Sequence, residues 1–143
     1  MSTENEIRAA SANFYAALNR MARGEAGAMD GVWSHGAEVT ALHPIGGRDT
    51  GWQAVGSSFN GVAGIASAGD IRLTQQLIQA AGDMAYEVGV ETGTITLAGL
   101  TATVEHRVTN IYRREAGSWR MVHHHTDLSP AMLDVLARLK ASA

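Results

Sequence analysis

Half of this chain's six histidines stand in one run, in the stretch SWRMVHHHTDLSP. An imidazole titrates near neutral pH and also binds metal ions, so His123, His124 and His125 could move protons or hold a metal. The run sits in a strand pattern, and neighbouring side chains of a strand point to opposite faces. His124 therefore points away from the other two, and the three cannot bind one metal ion together.

A two-histidine metal site is the alternative that this run leaves open. His123 and His125 share a face with Asp127, and three such ligands would suffice for an open zinc site. Ligand spacing of this kind is common by chance, and an outer sheet face that helps form a dimer and hydrogen-bonds across it is the stronger explanation of the same residues. We therefore expect no metal and no cofactor.

Helical periodicity dominates the part of the chain before the sheet. A capping box formed by Thr3 and Glu6 predicts the start of a first helix of about twenty residues, which Gly24 ends. The stretch AGAMDGVWSHGAE predicts a short helix, VTALHPIGG a brief strand, and GWQAVGSSFNGVAGI a weak helix that depends on packing.

The hydrophobic period changes to two after Gly69. Short turns join the alternating stretches DIRLTQQLIQAAGD, MAYEVGVETGTITL, TATVEHRVTNIYRRE and SWRMVHHHTDL, which predicts a four-stranded antiparallel meander. Ser129 and Pro130 then begin a closing helix. The sequence thus predicts a single α+β domain over residues 1–143, a conical barrel of strongly curved antiparallel sheet around the N-terminal helix, with two further helices and a short C-terminal helix. Such a cone leaves a pocket at its open end.

The order of these elements, the motif VWSH…HPIGGR…GW and the ending YRREAGSWRMVHHHT together resemble the nuclear-transport-factor-2-like superfamily. Its members include SnoaL-like polyketide cyclases, ketosteroid isomerase and the association domain of calcium/calmodulin-dependent kinase II. The resemblance covers nearly the whole chain and implies a ligand-sized cavity and a homodimer formed through the outer sheet face. It implies no single reaction, because the superfamily also holds dehydratases, epoxide hydrolases and non-enzymatic domains.

This sequence departs from two of those members. The tyrosine and protonated aspartate of the isomerase have no clear match here. Two cavity arginines of the kinase association domain align with Asn110 and Thr126, which makes an anion-binding pocket of that kind doubtful. The same alignment implies that Val122, His124 and Thr126 point inward on the last strand.

Alternation on the last two strands selects the candidate site. Val104, His106 and Val108 begin the more apolar face of their strand, and His106 or His124 could transfer a proton in a dry pocket. We take these two histidines as the candidate catalytic residues; the competing interpretation is that they are satisfied polar residues in a wall. The candidate ligand-binding residues are Tyr15, Trp33, His43, Trp52, Val108, Asn110, Tyr112, Val122 and Thr126.

Alternatives remain for several of these side chains. Trp33 and Trp52 could simply be large core residues, and Tyr15 could leave its hydroxyl in water. Four charged residues are expected on the outer sheet face, where they could pair across strands or across a dimer: Glu87, Glu91, Glu105 and Arg107. One of these carboxylates could instead serve as a base in a pocket, although the spacing does not demand it, and Asp127 is another candidate base if the strand register shifts by one residue.

Two functions follow from these expectations, and a structural interaction protein that uses only the outer sheet face is a third, weaker interpretation. The first is a cofactor-free isomerase, cyclase or hydratase that binds a small, largely apolar molecule and moves a proton on it. The second is a non-catalytic ligand-binding or dimerisation domain of the same fold. A titratable partner within hydrogen-bond reach of His106 or His124, in an enclosed and partly apolar cavity, would favour the first.

Bulk composition limits the partners. The chain has 11 basic and 14 acidic residues and a net charge of -3, which gives no electrostatic case for binding nucleic acid or an anionic membrane. It has no cysteine, which excludes disulfides and thiolate zinc sites and fits the reducing cytoplasm in which we expect the protein. No stretch approaches the roughly 18 apolar residues of a membrane helix, and the polar N-terminus is unlike a secretory signal. The expected partners are a small molecule and a second copy of the chain.

Overall fold

The computed structural model describes residues 2–142, which form three helices and one six-stranded sheet. The elements are α1 (Thr3–Ala22), β1 (Thr40–Leu42), β2 (Arg48–Thr50), α2 (Trp52–Ala63), β3 (Ala66–Ala81), β4 (Met84–Leu97), β5 (Leu100–Glu115), β6 (Ser118–Thr126) and α3 (Pro130–Ser142). The predicted α+β class is confirmed. Among the described residues, no helix combines the length and the apolar character needed to cross a membrane.

Helix α1 starts at the predicted place but has a different cap. Ser2, rather than Thr3, is the N-cap, and its hydroxyl accepts a hydrogen bond from the Asn5 backbone N–H at 3.2 Å. Glu4 and Glu6 lie in the first turn, where a negative charge interacts favourably with the helix dipole. The apolar stripe of α1 is buried, and the helix packs against β3, β4 and β6.

The segment between α1 and β1 forms turns where a short helix was predicted. Its glycines raise the entropic cost of a helix, and its backbone instead bonds to β6. The Ser34 N–H donates to the Met121 carbonyl, and the Met121 N–H donates to the Val32 carbonyl, each at 2.9 Å. Within residues 2–142, α2 is therefore the one further helix before the meander, where two were expected.

The sheet is mixed and open, with the strand order β2-β1-β6-β5-β4-β3. Strands β3 to β6 form the predicted antiparallel meander. Strand β1 pairs parallel with β6 and antiparallel with β2, so the hydrogen bonds do not close the sheet into a barrel. Because β1 runs alongside β6, the loop 43–47 that follows it reaches α3, where the Ser129 N–H donates to the Pro44 carbonyl at 2.8 Å.

A bulge changes the alternation of β6. Ile111 lies opposite His123 and Tyr112 lies opposite Met121, which leaves Val122 as the extra residue. Val122, His124 and Thr126 are buried, and so is Met121, which strict alternation had placed on the opposite face. The bulge therefore turns both Met121 and Val122 toward the core.

Candidate active site

The inner face of the meander and the three helices surround a partly enclosed cavity of about 310 Å³. Residues from α1, α2, α3 and the loop 43–47 contribute to its wall, which is mostly apolar. Six polar side chains interrupt this apolar wall: His43, Asp49, Ser58, Glu91, His106 and His124. A cavity with few polar groups in an apolar wall is typical of a small-molecule site.

His106 and Glu91 form a buried pair in the wall of this cavity. They lie directly opposite each other on β5 and β4, and His106 Nε2 is 2.7 Å from Glu91 Oε1. Their side chains are 3 % and 4 % exposed. The prediction that Glu91 lies on the outer face was therefore wrong. The carboxylates of β4 point inward, and the alternating residues Tyr86, Val88 and Val90 point to the other face. The inward orientation is possible because hydrogen-bonding partners inside the protein compensate for burial of the carboxylate charge.

The second oxygen of Glu91 is also bound. The Tyr15 hydroxyl donates to Glu91 Oε2 at 2.9 Å. Burial raises the pKa of Glu91, but the hydrogen bond from His106, the nearby charges of His124 and His106, and the hydrogen bond from Tyr15 together lower it below its ordinary value. Glu91 is thus ionised at neutral pH, and it requires His106 to donate through Nε2–H.

The other ring nitrogen of His106 faces a different environment. His106 Nδ1 is buried and has no hydrogen-bond partner among the described residues. When Nε2 carries the single ring proton toward Glu91, Nδ1 is a lone-pair acceptor. The wall of the cavity therefore holds a base whose tautomer is fixed by a carboxylate behind it.

His124 is oriented by a second buried group. Its Nδ1 is 2.6 Å from Asn110 Oδ1, and the amide nitrogen of Asn110 donates to Glu87 Oε1 at 3.0 Å and to the Tyr15 hydroxyl at 3.1 Å. Because Glu87 can only accept, these bonds fix the orientation of the Asn110 amide. His124 must therefore donate through Nδ1–H, which leaves Nε2 as its acceptor.

A continuous hydrogen-bonded chain joins the two histidines. It runs from His106 through Glu91, Tyr15 and Asn110 to His124. Burial lowers the pKa of His124 to about 4, although the nearby Glu91 carboxylate opposes this change. His124 is therefore neutral at pH 7 and accepts, rather than donates, at Nε2.

Glu87 anchors the far end of this chain and is fully buried, so its predicted place on the outer face was wrong. The Tyr112 hydroxyl donates to Glu87 Oε1 at 2.6 Å, and the Gln76 amide donates to Glu87 Oε2 at 2.8 Å. The Arg8 guanidinium donates to Gln76 at 2.7 Å and links the network to the surface. Glu105 and Arg107, by contrast, are exposed as expected.

The other two histidines of the run lie on the opposite side of β6. His123 Nδ1 is 2.6 Å from the Thr40 hydroxyl oxygen, and His125 is exposed. Asp127 receives two hydrogen bonds from the Arg107 side chain, at 2.8 and 3.1 Å. Among residues 2–142, no three histidine, cysteine or acidic side chains are arranged to hold a metal ion.

Residues 7–132 match the family model of the SnoaL-like domain. The chain belongs to this family. No curated protein matches the SnoaL-like chain. Its fold is shared with many solved structures of the nuclear-transport-factor-2-like superfamily, as the sequence resemblance predicted.

Three of these structures illustrate the range. A candidate dehydratase from Streptomyces avermitilis has a TM-score of 0.75 and 20 % identity, over 89 % of this chain and 96 % of its own. A candidate calcium/calmodulin-dependent protein kinase type II association domain from Thiobacillus denitrificans has a TM-score of 0.69 and 28 % identity, over 85 % and 94 %. An uncharacterised cystatin-like protein from Caulobacter vibrioides has a TM-score of 0.71 and 14 % identity, over 96 % and 97 %.

The structure of this SnoaL-like protein brings only some of the sequence-predicted residues to the cavity. His43, His106 and His124 line it. Tyr15, Asn110 and Tyr112 lie behind the wall, where their polar atoms bind Glu91 and Glu87. Val108, Val122 and Thr126 are buried but are not among the lining residues.

The two tryptophans form a separate cluster. The rings of Trp33 and Trp52 are 6.3 Å apart, and Phe59 packs 5.9 Å from Trp33. His35 stacks on Trp52 at 4.5 Å. Neither tryptophan lines the cavity, so Phe59 is the residue that connects this aromatic cluster to it.

Sequence reasoning missed Glu91, Asp49 and Ser58 as cavity residues. A signal for Glu91 was present, because the two-residue turn Ala98–Gly99 fixes the register that sets Glu91 opposite His106. No comparable local signal exists for Asp49 and Ser58, which meet only when β2 and α2 pack together.

Proposed function

We propose that this SnoaL-like protein binds a small, largely apolar molecule in its cavity and moves a proton on it, as a cofactor-independent isomerase, cyclase or hydratase. One observation carries the proposal: His106 lines the cavity and has a buried Nδ1 without a hydrogen-bond partner among the described residues, while ionised Glu91 holds its Nε2–H. A titratable partner in a partly apolar cavity supports an acid–base enzyme over a simple binding domain.

The geometry supports His106 as the group that takes up the proton. When Nδ1 accepts a proton from a ligand carbon, the Glu91 carboxylate stabilises the resulting imidazolium and keeps the ring in place. The same proton can then return to a different atom of the ligand, which gives isomerisation, or to a leaving hydroxyl, which gives loss of water. Neutral His124 accepts a hydrogen bond through Nε2, and this suits a hydroxyl or enol hydrogen on the ligand.

A non-catalytic ligand-binding domain is the second candidate, and a specific observation favours it. Both oxygens of Glu91 and both oxygens of Glu87 already accept hydrogen bonds inside the protein. A satisfied network of this kind also stabilises a rigid wall without any chemistry. The two candidates differ in whether a bound ligand exchanges a proton with His106.

Hydrogen–deuterium exchange at C2 of 1-tetralone, a small apolar ketone with acidic hydrogens at this carbon, tests the proposal. In D₂O at pH 7, proton NMR should show that the protein accelerates loss of the C2–H signal. The substitution His106→Gln should slow this exchange by about 100-fold or more, which is the lower range for removal of a general base. The matched variant His125→Gln, which changes an exposed histidine on the neighbouring strand, should exchange at the native rate.

Saturable binding of 1-tetralone without accelerated exchange would support the non-catalytic candidate. Exchange that persists in a folded His106→Gln protein would remove His106 from the mechanism.

We also propose that the protein is a homodimer formed through the outer sheet face. Large apolar side chains on β3 and β4 are exposed there: Leu77 is 51 %, Met84 43 % and Tyr86 44 % exposed. Contact with a second copy would cover this surface. Sedimentation at micromolar concentration should give twice the chain mass, and Tyr86→Lys should shift the equilibrium toward monomer; a native protein that sediments as a monomer would contradict the proposal.

A further inference from the structure

A second polar group lines the same cavity as the His106–Glu91 pair. It consists of Asp49 on β2, Ser58 on α2 and His43 in the connection between β1 and β2. The Ser58 hydroxyl donates to Asp49 Oδ2 at 2.5 Å, and His43 Nε2–H donates to the same oxygen at 2.8 Å. Both internal donors therefore bind one oxygen of the carboxylate.

The other carboxylate oxygen has a different position. Within residues 2–142, no side chain donates a hydrogen bond to Asp49 Oδ1, and the side chain is 23 % exposed. Partial burial raises the pKa of Asp49, but the hydrogen bonds from Ser58 and His43 outweigh it and hold the pKa below its ordinary value. The cavity wall thus carries an ionised carboxylate with a free acceptor oxygen.

A purely structural role would account for only half of this arrangement. The oxygen Oδ2 ties β2 to α2 and to the loop, and backbone bonds also hold this region, including Gly51 N–H to the Val39 carbonyl at 2.7 Å. Among the described residues, Oδ1 contributes no side-chain hydrogen bond to that connection. A charged oxygen beside an apolar wall is stable when water or a ligand supplies a donor.

One small molecule can reach both polar groups. The Phe59 ring lies in the cavity wall, with His43 packed edge-on at 5.3 Å between ring centres and His124 tilted at 6.4 Å. The two histidines are therefore separated by no more than the sum of these distances. Both histidines are therefore within reach of a ligand of one or two fused rings that lies along Phe59.

We propose that Asp49 Oδ1 binds a hydroxyl or amino group on the ligand, at the end remote from the atom that reacts with His106. The ligand class is then a small apolar ring compound with a hydrogen-bond donor opposite its reacting carbonyl. The inference rests on the ligand-binding role proposed above and makes Asp49 its specificity-determining residue. His43 and Ser58 act through Asp49, because their hydrogen bonds keep it ionised and oriented.

Two ketones with the same ring system test this assignment. The distal substituent of 6-hydroxy-1-tetralone donates a hydrogen bond, whereas that of 6-methoxy-1-tetralone only accepts one. Isothermal titration at pH 7 should show about tenfold or tighter binding of the hydroxyl compound, which is the range for a hydrogen bond to a charged acceptor. Asp49→Ala should bring this ratio close to one, and Asp49→Asn, which preserves the shape and a neutral acceptor, should give an intermediate ratio.

The control is Arg48→Gln, which removes a charge from the exposed neighbour of Asp49 and should keep the full preference. Equal affinities in the native protein, or a preference unchanged in Asp49→Ala, would overturn the Asp49 assignment while proton exchange at C2 still stood. A hydroxyl preference that depends on Asp49, combined with exchange that is indifferent to His106→Gln, would support the assignment and overturn the proposed mechanism. Failure of both ketones to bind at millimolar concentration would overturn both.

Discussion

Consecutive residues of β5 form two hydrogen-bonded pairs with carboxylates on opposite faces of the sheet. His106 meets Glu91 at 2.7 Å on the inner face, and Arg107 meets Asp127 at 2.8 Å on the outer face. The distances are almost equal, but the inner side chains are 3 % and 4 % exposed and the outer ones 82 % and 41 %. The two pairs therefore have nearly the same length and differ strongly in their exposure to water.

Water determines what each pair can do. The outer pair is screened, so it adds little to stability, although hydrogen bonds from Arg107 lower the pKa of Asp127 to about 2. The inner pair lies in a low-dielectric environment, where loss of either partner leaves an uncompensated buried polar group. The inner pair also lines a cavity, and one ring nitrogen of its histidine has no hydrogen-bond partner among the described residues.

The largest expected effect comes from removing the inner carboxylate. In Glu91→Ala, His106 Nε2–H and the Tyr15 hydroxyl both lose their acceptor inside the protein. The free energy of unfolding should fall by about 3 kcal/mol, the usual range for a broken buried pair. Urea denaturation at pH 7.5 measures this loss.

The outer carboxylate supplies the matched control. Asp127→Ala removes an acidic residue from a pair of similar length, yet water replaces the lost hydrogen bonds, so the same measurement should show a much smaller change. Equal losses in the two variants would contradict the conclusion that burial separates the two pairs.

The neighbouring histidines give a smaller effect that depends on pH. Burial lowers the pKa of His124 to about 4, and a histidine in an unfolded chain titrates at about 6.5. Between pH 6.5 and about 4.5 the unfolded chain therefore binds a proton that folded His124 does not, and stability should fall as the pH falls, by about 2–3 kcal/mol. Urea denaturation across this interval measures the slope.

Two single substitutions assign that slope. His124→Gln should flatten most of it; His123, whose pKa burial also lowers, accounts for a remainder. His125→Gln, which changes the exposed neighbour, should retain the part of the slope that His124 contributes. A slope that survives in His124→Gln would show that His124 is not the buried neutral histidine described above.

Much of the meander could be predicted from local patterns. Alternation along β5 correctly placed His106 and Asn110 among the buried residues, because the period of a strand is two whatever surrounds it. The bulge opposite Ile111 was not predictable in position, and it reversed the alternation at Met121. The segment around Trp33 was predicted as a helix because its apolar spacing is helical, whereas pairing with β6 satisfies its backbone instead.

The candidate site was only half accessible from the sequence. His106 and His124 were identified from their strands, but Glu91 and Glu87 were assigned to the outer face because charged residues are rarely buried. Their burial depends on partners distant in sequence: Tyr15 on α1 for Glu91, and Gln76 on β3 for Glu87. Asp49 was missed for the same reason, since Ser58 and His43 come from different elements.

By itself, the sequence determined the four strands of the meander and the positions of their turns, and the turn Ala98–Gly99 carries the local signal for the register that sets Glu91 opposite His106. These features depend on interactions between residues close together along the chain. Only the tertiary structure decided which face of β4 is buried. It also decided where the loop 43–47 lies after β1 and that Asp49 lines the cavity. Those outcomes depend on packing and hydrogen bonds between distant segments, whose favourable energy must compensate for the burial of charge.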